Sequence, residues 1–92
     1  MQKKELFDSI RDFLMKNNIK KAAIFGSFAR NEENEKSDID ILIEGEKLTL
    51  FDILNIEDTL QSITQRKIDI VEYQAVKPSL AKHIFSDLIP LI

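Results

Sequence analysis

The chain has 92 residues, with 13 lysines and arginines against 16 aspartates and glutamates, and no cysteine. That length supports one domain, residues 1–92, around a single core and leaves no room for a second. A net charge of -3 supplies no general attraction to nucleic acid or an anionic membrane, and the lack of thiols removes disulfides and thiolate-bound metals.

No segment reaches the roughly 18 apolar residues needed to cross a bilayer. The start, "MQKKELFDSIRDFL", lacks the unbroken apolar run of a signal peptide, so a soluble, cytoplasmic protein is expected. Residues 3–16 place Leu6, Phe7, Ile10, Phe13 and Leu14 on one helical face, and Asn17-Asn18 stops the helix. "KAAIF", residues 21–25, has no polar alternation, which predicts a strand buried on both faces and ended by Gly26-Ser27. A short helical turn over 28–30 and the charged loop "NEENEK" follow, with Ser27 a candidate cap for that turn.

Residues 38–44, "DIDILIE", alternate Ile39, Ile41 and Ile43 with Asp38, Asp40, Leu42 and Glu44, the pattern of a strand with two unlike faces. Thr49 and Asp52 have the spacing of a capping box opening a long helix, with Leu50, Phe51, Ile53, Leu54, Leu60 and Ile63 as its apolar stripe. Residues 67–73, "KIDIVEY", repeat the two-faced pattern and place Asp69 within it. Pro78 suits the first turn of a last helix whose core stripe is Leu80, Ile84, Phe85 and Leu88, ended by Pro90. His83 is read as an ordinary surface or packing residue, and Lys16, Lys20 and Lys21 as solvated or complementing a helix C-terminus.

The order αβ(α)βαβα puts a long helix between the second and third strands, as parallel neighbours require, and only a short loop between the first and second, as antiparallel neighbours allow. The fold class is therefore α/β (α+β), a small mixed sheet of three or more strands flanked by helices, with short exposed edges that favour association.

Asp38 and Asp40, two positions apart in a strand, project to one face, and a neighbouring third strand brings Asp69 to the same space. Three clustered carboxylates raise one another's pKa values unless a cation neutralises them. All-oxygen, highly charged ligands suit magnesium or manganese, completed by water and substrate phosphates. Gly26 permits a sharp backbone turn, the N–H groups beyond it can meet phosphate oxygens, and Ser27 adds a hydroxyl. Glu44 faces the same side but lies two pleats further on.

Gly26-Ser27, Ala29-Arg30, Ser37-Asp38-x-Asp40 opening a strand, and Asp69 within "IDIV" together resemble the minimal nucleotidyltransferase (MNT) domains of the DNA polymerase β-type superfamily. The resemblance spans nearly the whole chain and implies the nucleotidyltransferase fold. Asn31 stands where that family commonly has glycine; asparagine tolerates left-handed backbone best after glycine, so the turn is expected to survive.

Proteins of this kind act as antitoxins encoded with a HEPN-domain ribonuclease toxin, and some transfer AMP from ATP to a toxin tyrosine. The resemblance implies that Asp38 and Asp40 hold two magnesium ions, and that Asp69 completes the metal site and serves as general base. It also implies that Gly26 and Ser27 cradle the β- and γ-phosphates. Arg30 is a candidate for nucleotide binding or toxin contact, or a surface partner of Glu32 or Glu33. The expected assembly is a hetero-oligomer with the toxin, or a homodimer, with no membrane or nucleic-acid partner. Two alternatives stand beside it: a non-catalytic antitoxin acting by contact, and the catalytic subunit of a nucleotidyltransferase with another substrate.

Overall fold

The computed structural model describes residues 2–92. Helix α1 (Lys3–Lys16) leads to strand β1 (Ile19–Phe25), the one-turn helix α2 (Gly26–Ala29) and strand β2 (Ile39–Gly45). Helix α3 (Leu50–Thr64), strand β3 (Ile68–Glu72), a 3-10 turn (Tyr73–Ala75), helix α4 (Pro78–Ser86) and the short strand β4 (Ile89–Pro90) complete the chain.

The strands form one four-stranded sheet in the order β3-β2-β1-β4. β1 runs antiparallel to β2, and β2 parallel to β3, as the connection lengths require. Ile39, Ile41 and Ile43 of β2 and Ile68 and Ile70 of β3 turn to one face, where Leu6, Ile10 and Leu14 of α1 and Ile56 and Leu60 of α3 cover them. The opposite face of β2 carries Asp40, Leu42 and Glu44, so the strand period alone sends the isoleucines to the core and the acids away from it. Ala22, Ala23 and Ile24 are all buried, which makes β1 the two-sided strand that its sequence predicts.

The capping box is present: Asp52 N–H donates to Thr49 Oγ1 and Thr49 N–H to Asp52 Oδ2, at 3.2 and 2.9 Å. The apolar stripe of α3 differs from expectation. Its buried side is Ile56, Leu60 and Thr64, while Leu50, Phe51, Leu54 and Ile63 are exposed, Phe51 by 78%. Helical periodicity marks apolar faces but not which face meets the sheet, and here the i, i+4, i+8 row won. α4 departs likewise, with Leu80 and Phe85 exposed and none of its residues buried. Pro90 closes no helix; it lies in β4, which pairs with Ala23 and Ile24 of β1.

The β3 edge is capped by side chains, and the opposite edge ends in a very short strand. On β3, the outward N–H of Ile70 donates to Glu57 Oε2 at 3.1 Å and that of Ile68 to Gln61 Oε1 at 3.4 Å, both acceptors reaching over from α3. The other edge, β4, is two residues long and contains a proline. Lys20 and Lys21 are not simply solvated: Lys20 pairs with Glu46, and Lys21 Nζ lies 4.5 Å from the centre of the Tyr73 ring.

Ile10 is fully buried between α1 and the sheet. Ile10→Ala is expected to lower unfolding free energy by about 2–5 kcal/mol. Phe51→Ser, on the exposed side of α3, should stay within about 0.5 kcal/mol in urea denaturation.

Candidate active site

Register decides what meets at the site. β1 and β2 align Phe25 with Asp40, and β2 and β3 align Asp40 with Asp69. The chain leaves β1 immediately after Phe25, so the turn at Gly26 passes directly over Asp40. Gly26 has φ 70, and a methyl group in place of its hydrogen would stand 2.1 Å from Asp40 Oδ2. Only glycine satisfies both the left-handed backbone and this close approach.

Asp38 precedes β2 and is half-buried, Asp40 is half-buried, and Asp69 is exposed. Burial first, then the charges of Asp69 and Asp38, push the Asp40 carboxyl up to about 6, while Arg30 pulls it down. The charges of both other aspartates predicted from the sequence therefore reach Asp40. Among the described residues, no three acidic or histidine side chains are drawn together closely enough to cage an ion; the carboxylates share a surface but stand apart. Their chemistry fits a hard divalent cation: every donor is oxygen, and burial together with the charges of Asp69 and Asp38 disfavours an ionised Asp40 that a bound cation would stabilise.

Ser27 lies within α2, whose N-cap is Phe25, so its hydroxyl is not the cap of that turn. Arg30 ends α2, donating its N–H to the Gly26 carbonyl at 3.1 Å. Its Nε is 3.5 Å from Glu32 Oε2, so it is the surface partner of Glu32 and a neighbour of Asp40 at once. Asn31 has φ 58, the left-handed conformation expected of it, and its Oδ1 accepts from Lys3 Nζ at 3.0 Å. Glu44 belongs elsewhere: its charge, after burial, raises the pKa of Tyr73, which stacks on Phe85 with ring centres 6.1 Å apart. A concavity of about 440 Å³ between α1 and α3, lined by Phe13, Asn17, Asp52 and Asn55 among others, includes none of Asp38, Asp40 and Asp69.

The family model described as "Polymerase beta, Nucleotidyltransferase" matches residues 8–92. The chain belongs to the polymerase beta nucleotidyltransferase family. A relative from Methanocaldococcus jannaschii, provisionally named a protein adenylyltransferase, is 36% identical over 89 residues, 96% of each chain. Two solved structures share the fold. One, of a tri-AMPylated Shewanella oneidensis HEPN toxin in complex with MNT antitoxin, matches with TM-score 0.79 at 18% identity, over 99% of this chain and 72% of that one. The other, a toxin-antitoxin with AMP-PNP, matches with TM-score 0.78 at 19% identity, over 92% and 72%. This nucleotidyltransferase carries its Gly-Ser turn and its aspartates on adjoining strand ends of that common fold.

Arg66 escaped the sequence reading. Its Nη1 donates to the carbonyls of Asn34 and Ser37 at 3.0 and 3.1 Å, contacts made across a long stretch of chain that no local pattern announces.

Two outcomes follow from the packing of Gly26 on Asp40. Gly26→Ala should cost about 1–2 kcal/mol through its left-handed backbone, read by urea denaturation, and should displace the Asp40 carboxylate, which a structure of the variant would register. The raised pKa of Asp40 also sets a pH dependence in the metal-free protein. Folding takes up a proton between about pH 4, the unfolded value, and about 6, so stability falls as pH rises through that window. In EDTA, Asp40→Asn should therefore melt above wild type at pH 7.5, with the gap closing as pH falls to 4.

Proposed function

We propose that the chain is a protein adenylyltransferase and antitoxin that moves AMP from ATP onto a tyrosine of a HEPN ribonuclease toxin. The observation that carries this reading is the alignment of Asp40 with Asp69 across β2 and β3, on an exposed surface, with the Gly26 turn against Asp40. The name of the Methanocaldococcus jannaschii relative supports the activity, and the AMPylated toxin complex supports the partner.

Asp38 and Asp40 would hold two magnesium ions, or manganese, and Asp69 would complete the position nearer the acceptor. Bound there, the ions supply neutralisation of phosphate charge and a lowered pKa for the acceptor hydroxyl. The Gly26 amide and the Ser27 hydroxyl donate to oxygens of the β- and γ-phosphates, and the Arg30 guanidinium offsets their charge. Asp69 takes the proton of the tyrosine hydroxyl as its oxygen bonds to the α-phosphorus, and the bond to the departing pyrophosphate breaks in line. The chain needs no nucleophile of its own. Because Asp69 is exposed, an acceptor carried on a folded partner can approach it.

The test is incubation with α-labelled ATP, magnesium and the co-encoded partner. Label on the partner is expected, falling roughly a hundredfold or more in Asp38→Asn and Asp40→Asn. A partner that is inhibited yet unlabelled would overturn transfer in favour of neutralisation by contact.

A further inference from the structure

The loop from Asn31 to Ser37 joins the two halves of the site, since it runs from α2, which carries Gly26 and Ser27, to Asp38. It contains three glutamates and one lysine, and no part of it is helix or strand; Asn34 and Ser37 close a local turn, with Ser37 N–H donating to the Asn34 carbonyl at 3.1 Å and Asn34 N–H to Ser37 Oγ at 2.9 Å. What ties that turn to the rest of the site comes from outside. Arg66 Nη1 donates to three of its carbonyls, those of Asn34, Ser37 and, at 3.4 Å, Glu35. The same guanidinium lies over the ring of Phe28, 5.0 Å from its centre, and Phe28 is the buried residue of α2.

These contacts connect the parts of the site through one side chain. Ser37 is peptide-bonded to Asp38, Phe28 follows Ser27, and Arg66 itself stands three residues before Asp69. The adjoining residue reinforces the link: the carbonyl of Lys67 accepts the N–H of Ile39 at 2.9 Å, between Asp38 and Asp40. Lys3 secures the first half of the loop, donating to Asn31 Oδ1 and Glu33 Oε1 at 3.0 and 2.9 Å. A planar guanidinium is suited to the second half because it can stack on an aromatic face while its in-plane N–H groups reach carbonyls; an ammonium offers no such plane.

We infer that Arg66 is a positioning residue for nucleotidyl transfer, holding Asp38 at a fixed place relative to the Gly26-Ser27 turn and Asp69. The inference rests on the metal-dependent reading of the site, and acts through the backbone rather than by contact with substrate. Loss of Arg66 frees the carbonyls of Asn34 and Ser37 to water and lets Asp38 drift, so the cost falls on metal binding and turnover more than on recognition of the partner.

The test titrates Mn2+ by electron paramagnetic resonance in the presence of AMP-PNP, alongside kcat and KM for the partner protein. Arg66→Met is expected to weaken Mn2+ binding and to lower kcat by about 10- to 100-fold, the range for groups that orient metal ligands. KM for the partner should hold, and Arg66→Lys, which keeps the charge but loses the plane, should recover only a small part of the loss. Ile10→Val, a remote core substitution, serves as the control for stability. An Arg66→Met protein with wild-type Mn2+ affinity, or a loss no larger than in Ile10→Val, would overturn the inference. If Arg66→Met does not fold, hydrogen exchange on Arg66→Lys decides: faster exchange confined to the amides of residues 34–39 is expected, and unchanged exchange there overturns it. Asp38→Asn separates the two levels. Mn2+ binding unaffected by Asp38→Asn sinks the metal site itself, whereas binding lost in Asp38→Asn but intact in Arg66→Met sinks only the role of Arg66.

Discussion

Asp40 is held under a constraint that organises everything around it. Its strand seats it between Phe25 and Asp69, the turn after Phe25 crosses it so closely that only glycine fits, and the core on the far side of the sheet fixes the register that brings these together. A slip of one residue between β2 and β3 would send Asp40 into the isoleucine core and Ile41 to the surface. The packing of Ile39, Ile41 and Ile43 under α1 and α3 is thus also what keeps the carboxylates facing one another. Stability and site geometry draw on the same alternation.

The halves of the site are joined differently. Strand pairing sets Asp40 against Asp69 through continuous backbone hydrogen bonds, which makes that relation rigid. Gly26-Ser27 and Asp38 are related through an acidic loop with no regular structure, and side chains from α1 and from the α3–β3 junction hold it. Lys3 keeps the Glu33 carboxyl below the usual carboxylate range, chiefly through their hydrogen bond, so the loop answers both to a cation near the chain start and to Arg66 just before β3.

Much of this was legible in the sequence because two periods were clean. The alternation in "DIDILIE" and "KIDIVEY" separates acids from isoleucines without ambiguity, and the connection lengths then give the pairing directions. The capping box at Thr49 and the left-handed Asn31 were readable because each is a local device with a local signature. What failed was anything that depends on partners far along the chain. Leu50, Phe51 and Leu54 look like a core stripe until the position of the sheet is known; of the expected stripe Leu60 is buried, and Ile56 joins it in place of the others. β4 has two residues, too few to display any period, and Arg66 makes its contacts with carbonyls, which every residue has and no composition reveals.

The two sheet edges constrain how this molecule can associate. With the free N–H groups of Ile68 and Ile70 taken by Gln61 and Glu57, a partner's extended segment finds no row of donors to join on the β3 side. On the other side a proline occupies one of only two positions. Growth of the sheet by strand addition is therefore discouraged at either end. The uncovered apolar residues of the molecule lie instead on helices, among them Leu50, Phe51 and Leu54 of α3 and Leu80 and Phe85 of α4. The same device makes the chain safe against ribbon-like self-assembly.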